Sequence, residues 1–153
     1  AGGRSSYAKA LKYISAFDET DLKLAGKGSY TKLTSSGKVC NMGKYEMPPE
    51  IILVYSQTGM LLKDSTLLDF SLKRPPLPIS GGYPTEKPAE LISQIIEQST
   101  YKGDLILDPF GGSGVVMQEA LKLKRKVHTI DISEVSINNF ILPKLERNSE
   151  WNI

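Results

Sequence analysis

The stretch "DLILDPFGGSGVVMQEALKL", residues 104 to 123, decides the fold class. It contains a compact apolar segment, then a glycine cluster, then apolar residues at helical spacing. We predict a strand over 104–108 and a helix that begins near Gly112. The expected buried members of this helix are Val115, Val116, Leu121 and Leu123. A glycine turn at the end of a buried strand leaves room for a group that must approach the backbone closely.

Downstream, "RKVHTIDI", residues 125–132, predicts a second strand. Ser133 suits the N-cap of a following helix, because its hydroxyl can accept a backbone N–H bond. We expect Pro143 to kink or end that helix near Leu142. This order of strand, helix, strand and helix predicts an α/β fold, with parallel strands joined by a right-handed crossover.

Upstream, the unbroken apolar run from Ile51 to Tyr55 predicts a strand that is buried on both faces. A connector rich in proline and glycine follows, and Pro88 opens a helix. The apolar stripe of that helix comprises Leu91, Ile92, Ile95 and Ile96.

The first third of the chain is basic. Residues 1–47 contain eight Lys/Arg and four Asp/Glu, a net of +4, whereas residues 48–153 contain eleven and thirteen, a net of −2. A short amphipathic helix is predicted near residues 6–17. Residues 26–44 are rich in Gly, Ser, Thr and Lys and predict a loop with a short ribbon. This composition suits either phosphate contacts or a solvated loop.

The bulk composition predicts one globular domain without a metal or a membrane span. With 153 residues, the chain is long enough for one sizeable core. No run of about 18 apolar residues and no secretory leader is visible in the sequence. The single cysteine, Cys40, excludes an internal disulfide and indicates a reducing cytoplasm. The single histidine, His128, has no nearby cysteine partner, which argues against a metal site.

Two carboxylates flank the glycine turn. The turn contains no Lys or Arg, and Asp108 lies at its mouth, so a phosphate ligand is disfavoured. A carboxylate there suits a cationic or zwitterionic ligand, for example one that carries an ammonium and a sulfonium group. Asp131 follows about twenty residues later, where an acid can accept both hydroxyls of an adenosine ribose. The alternative is a helix–strand turn without a ligand.

The stretch from residue 83 to 133 resembles the cofactor-binding half of the amino-directed DNA methyltransferases, and more narrowly their permuted (β-type) group. "DPFGGSG" resembles the cofactor loop of that family, "PTEKP" the motif before it, and "IDIS" the ribose-binding acid motif. "EIILVYSQ" is similar to the strand before the variable region on the substrate side. The resemblance implies a Rossmann-like methyltransferase fold with a mainly parallel sheet, incomplete in this chain.

The resemblance implies S-adenosylmethionine as the cofactor and assigns its contacts. Thr85 and Lys87 would lie near the methionine carboxylate, Asp131 would hold the ribose, and Ile132 would flank the adenine. The methionine side would be lined by the loop residues Asp108, Phe110, Gly111, Gly112, Ser113 and Gly114. The sequence departs from the family pattern at one place that bears on affinity for the cofactor. Val115 and Val116 replace the threonine pair that is usual after this loop.

The resemblance also implies a catalytic tetrapeptide, which this sequence lacks. Members of the family methylate the exocyclic amine of adenine or cytosine through an Asp, Asn or Ser, two prolines and an aromatic residue. Neither "EMPPEI", residues 46–51, nor "KRPPLP", residues 73–78, fits that pattern. We therefore expect no catalytic side chain within these residues and no methyl transfer by this chain alone. An upstream segment or a second polypeptide would carry the tetrapeptide.

We divide the chain into a basic, DNA-facing variable segment, residues 1–47, and a cofactor-binding α/β portion, residues 48–153. DNA is the expected partner, and the candidate DNA-binding residues are Lys27, Ser29, Lys32 and Lys38. Adenine and cytosine both remain open as the target base. Two alternatives are a non-catalytic nucleic-acid-binding relic of the fold, and an enzyme that uses the same cofactor on RNA or a small molecule. A dinucleotide oxidoreductase is disfavoured, because "GGSG" is not G-x-G-x-x-G.

Overall fold

The computed structural model describes residues 19–34, 36–42, 45–46, 49–58, 68–73, 82–83 and 85–147. The helix predicted near residues 6–17 lies outside these ranges, as does most of the proline-rich connector. The strands are β1 (Lys23–Leu33), β2 (Asn41–Met42), β3 (Tyr45–Glu46), β4 (Glu50–Ser56), β5 (Leu68–Lys73), β6 (Leu105–Asp108) and β7 (Lys126–Thr129). The helices are α1 (Ala89–Ser99), α2 (Val115–Lys122), α3 (Glu134–Ser136) and α4 (Leu142–Arg147), with a π-helical segment, Ile137–Ile141, between the last two.

β1 is the central strand of a three-stranded sheet in the order β4-β1-β5. It pairs antiparallel with β4 and parallel with β5. The prediction of a loop over 26–44 was therefore wrong for residues 26–33, while a short ribbon does form, from β2 at the end of this range and β3 just beyond it. Backbone pairing on both edges of β1 and the burial of Tyr30, which is 1% exposed, outweigh the low strand propensity of its glycines. The pairing of β1 with β4 shifts register between Leu24 and Gly26, and a glycine is tolerated at such an irregularity within a strand.

Tyr30 and Leu91 form the buried core beneath this sheet, with partly buried side chains of Ile52, Val54 and Ile95 packed against them. Helix α1 thus covers the face of β1 and β4 that bears Tyr30. The sheet crosses the boundary drawn between residues 47 and 48, because β1 comes from the first segment and β4 from the second. The functional division at that boundary stays a prediction.

The strand predicted over 51–55 is confirmed as β4, but it is not buried on both faces. Ile51 is 72% exposed, while Ile52 and Val54 on the other face are partly buried. Leu53 and Tyr55, on the same face as Ile51, are partly buried as well, so exposure is pronounced only at Ile51 and no residue from 51 to 55 is fully buried.

The predicted β6–α2–β7 unit is confirmed, with β6 and β7 parallel in the register Leu105↔Lys126 to Asp108↔Thr129. Helix α2 begins at Val115, three residues later than expected, because Gly114 at the N-cap has φ +75°. Of the four side chains expected to be buried in or after this helix, Val115 is buried, whereas Val116, Leu121 and Leu123 are only partly so. The buried side chains of α2 are Val115, Met117, Glu119 and Ala120.

The C-terminal helical region begins as predicted, with the Ser133 hydroxyl accepting a bond from the Ser136 backbone N–H at 3.3 Å. It does not end near Leu142, however, and continues through Arg147. The backbone widens into the π-helical segment directly before Pro143, where the N–H of Leu142 donates to the carbonyl of Ile137. A proline cannot donate a helical bond and crowds the turn before it, and the wider turn accommodates both effects.

Among the helices within the described ranges, none is long and apolar enough to cross a membrane.

Candidate functional site

The candidate site lies where β6 and β7 end, beside the glycine turn. The N–H of Ile130 donates to the carbonyl of Asp108, and the N–H of Gly111 donates to the carbonyl of Ile130, each at 2.8 Å. These bonds extend the pairing beyond the two strands. They bring the turn from 109 to 114 against the end of β7, so that Asp108 and Asp131 lie at neighbouring strand ends.

Asp131 is fixed by two backbone donors. Its Oδ1 accepts a bond from the Ser133 N–H at 2.8 Å, and its Oδ2 accepts one from the Gly112 N–H at 2.7 Å. These two bonds, that from Ser133 being the stronger influence, hold the pKa of Asp131 below its usual value. Because each carboxylate oxygen has two lone pairs, both oxygens can accept one further hydrogen bond from a ligand.

Asp108 is held differently. Its Oδ1 accepts a long bond of 3.3 Å from the Phe110 N–H, while its Oδ2 is buried and has no hydrogen-bond partner among the described residues. Burial raises the pKa of Asp108 despite the Phe110 N–H, and the negative charge of Asp131 raises it further. The two carboxylates are therefore close enough to influence each other, and Oδ2 of Asp108 has no donor among the described residues.

The glycine turn is enclosed on one side by protein atoms. A Cβ on Gly111 would overlap Cγ2 of Thr129 and would lie 2.9 Å from Cδ1 of Ile141. A Cβ on Gly114 would lie 3.3 Å from the Cα of Ile141. The π-helical segment thus presses Ile141 onto the turn, and the glycines permit this close approach.

Aromatic and apolar side chains surround the turn. A Cβ on Gly112, which has φ +50°, would lie 3.2 Å from the Tyr83 hydroxyl. The Tyr83 ring packs edge to face on Phe140 at a centroid distance of 5.2 Å. Phe110 is 86% exposed and Ile132 fully so, whereas Ser113 is buried. Exposed apolar side chains therefore follow both strand ends, on the turn and after Asp131.

Lys87 and Thr85 belong to the motif before α1. Thr85 is exposed, and Lys87 forms an ion pair of 2.9 Å with Oε2 of Glu50. The neighbouring Glu86 accepts a bond of 3.0 Å from the Nζ of Lys144 in α4. The motif is thus attached to β4 on one side and to the C-terminal helix on the other. Lys87 already has a protein counter-ion, which sequence reasoning did not foresee.

Glu50 has a second cationic partner, Lys32, which binds its Oε1. Burial alone would raise the pKa of Glu50, but the hydrogen bonds and charges of Lys32 and Lys87 outweigh burial and hold that pKa below its usual value. One carboxylate therefore stays ionised between two ammonium groups.

The four candidate DNA-binding residues do not form one patch. Lys27 is exposed and Ser29 partly buried on one face of β1, whereas Lys32 points to the opposite face and binds Glu50. Lys38 is exposed in a turn after β1 that is closed by backbone bonds to Thr34. Lys27 and Lys38 are thus exposed to solvent, while Lys32 is engaged.

Sequence reasoning missed four residues that shape the site: Glu50, Tyr83, Phe140 and Ile141. Tyr83 lies directly before the "PTEKP" motif, which was the available signal. The other three act through contacts with residues far along the chain, which no local pattern reveals. Among the residues with described positions, no group of three or more His, Cys, Asp or Glu is arranged to hold a metal ion.

Comparison with known proteins identifies the family. The sequence profile of the N6/N4 DNA methylase family matches residues 62–141, just over half of the chain. The chain is 41% identical over 73 residues to the Type II methyltransferase M2.DpnII of Streptococcus pneumoniae, covering 48% of this chain and 27% of that protein. It is 30% identical over 110 residues to the DNA adenine methyltransferase YhdJ of Escherichia coli, covering 58% of this chain and 36% of that protein. The chain thus spans about a quarter to a third of these relatives' length.

Solved structures share the fold. The crystal structure of the M1.HpyAVI–SAM complex matches with a TM-score of 0.69 at 20% identity, covering 90% of this chain and 70% of that one. The cytosine-N4-specific PvuII DNA methyltransferase matches with a TM-score of 0.63 at 17% identity, covering 92% of this chain and 62% of that one. The fold is the Rossmann-like methyltransferase fold, and with the matching profile this shows that the chain belongs to the N6/N4 DNA methylase family.

Proposed function

We propose that this chain is the cofactor-binding portion of an S-adenosylmethionine-dependent methyltransferase that acts on the exocyclic amine of adenine or cytosine in DNA. The observation that carries the proposal is the Asp131 carboxylate. It is held by the backbone of Gly112 and Ser133, and each of its oxygens can still accept one more bond. The family membership and the Type II names of the relatives support a role in restriction–modification.

The ribose and adenine of the cofactor suit the β7 side of the site. Asp131 stays ionised and offers two oxygens to two neighbouring hydroxyls, the arrangement that a ribose diol requires. Ile132 and Phe110 expose apolar surface against which a flat base can pack. In the same assignment, Gly111, Gly112, Ser113 and Gly114 present a backbone that a ligand can approach closely.

The methionine part suits the β6 side. Asp108 has a buried oxygen without a donor, and an ammonium group would supply one. Lys87 and Thr85 would bind the methionine carboxylate, for which Lys87 must be shared with Glu50. S-adenosylmethionine, when bound, supplies a methyl group on a positively charged sulfur. The protein side chains position it and supply compensating charge.

The chemistry on the base is proposed to lie in another segment or a second polypeptide. The Asp, Asn or Ser tetrapeptide with two prolines and an aromatic residue is not found in residues 1–153. In the proposed complete site, its aromatic residue stacks on a flipped-out base, and its polar groups accept bonds from the target amine. Lys27, Ser29, Lys32 and Lys38 are proposed to contact the phosphates of that DNA.

Two measurements on the chain test this proposal together. Calorimetric titration with S-adenosylmethionine is expected to give saturable heat. Incubation with radiolabelled cofactor and duplex DNA is expected to transfer no methyl group until a polypeptide with the tetrapeptide is added. Methyl transfer by residues 1–153 alone would overturn the assignment of catalysis to another segment.

Valines stand after the glycine loop where the family usually has threonines. This favours a second candidate function, that of a non-catalytic protein that binds nucleic acid and retains the methyltransferase fold. Val115 is buried in the core and Val116 is partly buried, so two hydroxyls that could bond the cofactor are lost. The relic predicts duplex binding without any saturable heat from S-adenosylmethionine. Replacing both valines with threonine separates the candidates further, because it should improve cofactor affinity only if the site binds the cofactor.

A further inference from the structure

Glu50 binds two lysines for which the sequence predicts different ligands, DNA for Lys32 and the cofactor for Lys87. It is the first residue of β4 and lies opposite Tyr30 in the register of β1. Lys32 is two residues beyond Tyr30 and therefore projects from the same face of β1. Lys87 lies just before α1, whose Leu91 packs on Tyr30. The shared core thus brings a candidate DNA-binding lysine and a candidate cofactor-binding lysine to one carboxylate.

Positive charge exceeds negative charge around Glu50. One carboxylate faces two ammonium groups, with Lys32 on Oε1 and Lys87 on Oε2. The side chains are between 24% and 40% exposed, so an anion from solvent can reach either lysine. The cluster of Lys32, Glu50 and Lys87, here called the lysine–glutamate cluster, carries a net charge of +1.

We propose that Glu50 is a shared counter-ion through which anion binding at Lys32 and binding of the cofactor carboxylate at Lys87 oppose each other. This inference rests on the proposed function, because it takes Lys87 as a ligand of the cofactor carboxylate and Lys32 as a ligand of DNA phosphate. Glu50 is a positioning residue in this scheme, since it touches neither ligand and acts through the two lysines.

The opposition follows from competition for one carboxylate. When an anion draws Lys32 away, both oxygens of Glu50 are left to Lys87, which is then held more firmly. When the cofactor carboxylate draws Lys87 away, both oxygens of Glu50 are left to Lys32, which is then less available to an anion. Because coupling between two binding equilibria is reciprocal, each ligand must weaken the other by the same factor. The expected factor is small, about two- to fivefold, which corresponds to about 0.4–1 kcal/mol and lies within the range of partly exposed ion pairs.

The Glu50→Gln variant tests the inference, because it removes the charge and keeps the size of the side chain. We expect it to bind both S-adenosylmethionine and a short DNA duplex about two- to fivefold more tightly at low salt. High salt should remove the difference, because screening weakens the ion pairs in the unaltered chain. Glu90→Gln is the matched control, since Glu90 is exposed in the first turn of α1 and forms no ion pair within the described part of the chain.

The Lys32→Gln variant should have the opposite effect on the cofactor. With Lys32 gone, Glu50 holds Lys87 alone, so affinity for S-adenosylmethionine should fall about two- to fivefold. The double variant with Lys32→Gln and Glu50→Gln should bind the cofactor as tightly as Glu50→Gln alone. The effects of the two substitutions would then not be additive, which shows that Lys32 acts through Glu50. Lys102→Gln, which removes the same charge at an exposed position before β6, should leave cofactor affinity unchanged.

A purely structural role of Glu50 predicts weaker binding of both ligands by Glu50→Gln at every salt concentration, and that result would overturn the inference. Equal cofactor affinities of Lys32→Gln and Lys102→Gln would also overturn it. Absence of saturable S-adenosylmethionine binding by the unaltered chain would instead overturn the proposed function, whatever the variants do.

Discussion

The Asp131 carboxylate accepts a hydrogen bond of 2.7 Å from the backbone N–H of Gly112, nineteen residues earlier in the chain. This bond joins the end of β7 to the glycine turn that follows β6. It makes the position of the turn depend on Asp131 and, after the bond from the Ser133 N–H, is the second cause of the lowered pKa of this carboxylate. One side chain thus shapes the turn and remains charged for a ligand.

Replacing Asp131 with Asn should weaken S-adenosylmethionine binding by about 10- to 150-fold, because one charge-assisted acceptor is replaced by a neutral amide. Calorimetric titration measures the change. Asp104→Asn is the control, since Asp104 also accepts a backbone bond, from the Tyr101 N–H at 2.8 Å, but lies at the other end of β6. Equal affinities of the two variants would contradict the role of Asp131.

Replacing Asp108 with Asn should stabilise the fold and weaken cofactor binding. Burial raises the pKa of Asp108, so the folded chain binds its proton more tightly than the unfolded chain does. Stability contributed by this group is therefore lost as pH rises from the usual aspartate pKa through the raised value, and at neutral pH the carboxylate costs stability. The neutral Asn removes that cost. Urea unfolding at neutral pH should show a higher midpoint for Asp108→Asn.

The same group sets a pH dependence of binding. Only the ionised Asp108 attracts an ammonium group, so cofactor affinity should fall as pH decreases through the pKa of Asp108, which burial raises above its usual value. Asp108→Asn should bind weakly and without this pH step. A step that persists in the variant would assign the titration to another group. Circular dichroism at each pH provides the check that the chain stays folded.

Much of this site could be predicted from local sequence, because its parts are close together in the chain. "DLILDPFGGSG" predicted β6 and the turn, and "RKVHTIDIS" predicted Asp131, the Ser133 cap and β7, which is shorter than the stretch from 125 to 132. The late start of α2 could not be predicted, since it depends on the left-handed backbone of Gly114. The strand β1 was missed because long-range pairing, and not its own polar composition, determines it.

The Glu50 partners and the π-helical segment were missed for a related reason. The sequence gives no sign of a protein partner for Lys87. Only the packing of α1 on β1 brings this lysine to the carboxylate of Glu50, 37 residues away. Pro143 predicts a kink or an end of the helix near Leu142, because the sequence does not show that the preceding turn widens to accommodate the proline.

Gly111→Ala should lower the free energy of unfolding by about 1–3 kcal/mol, the usual cost of overpacking. The new methyl group would overlap Cγ2 of Thr129 and approach Cδ1 of Ile141. Thr129→Ser removes the obstructing Cγ2, so the double variant should lose less stability than the sum of the two single losses. Urea unfolding of all four proteins completes the cycle, and simple additivity would refute the close approach.

The exposed lysines of the basic segment should contribute to duplex binding through phosphates alone. Replacing Lys27 and Lys38 with Gln should weaken binding to duplexes of any sequence. The dependence of log affinity on log salt should become shallower by about 0.9 for each phosphate that the variant no longer neutralises. Lys102→Gln, at the far end of β6, is the control. An unchanged salt slope in the double variant would show that DNA phosphates contact neither Lys27 nor Lys38.

The central claim is that S-adenosylmethionine binds between the ends of β6 and β7. Amide NMR spectra of the ¹⁵N-labelled chain during titration with the cofactor test it most directly. We predict saturable shifts of the Gly112 and Ser133 amide signals, whose N–H groups donate to Asp131, with the same dissociation constant at both. Cofactor-induced shifts that are confined to other residues, or no shifts at saturating cofactor, would contradict the claim.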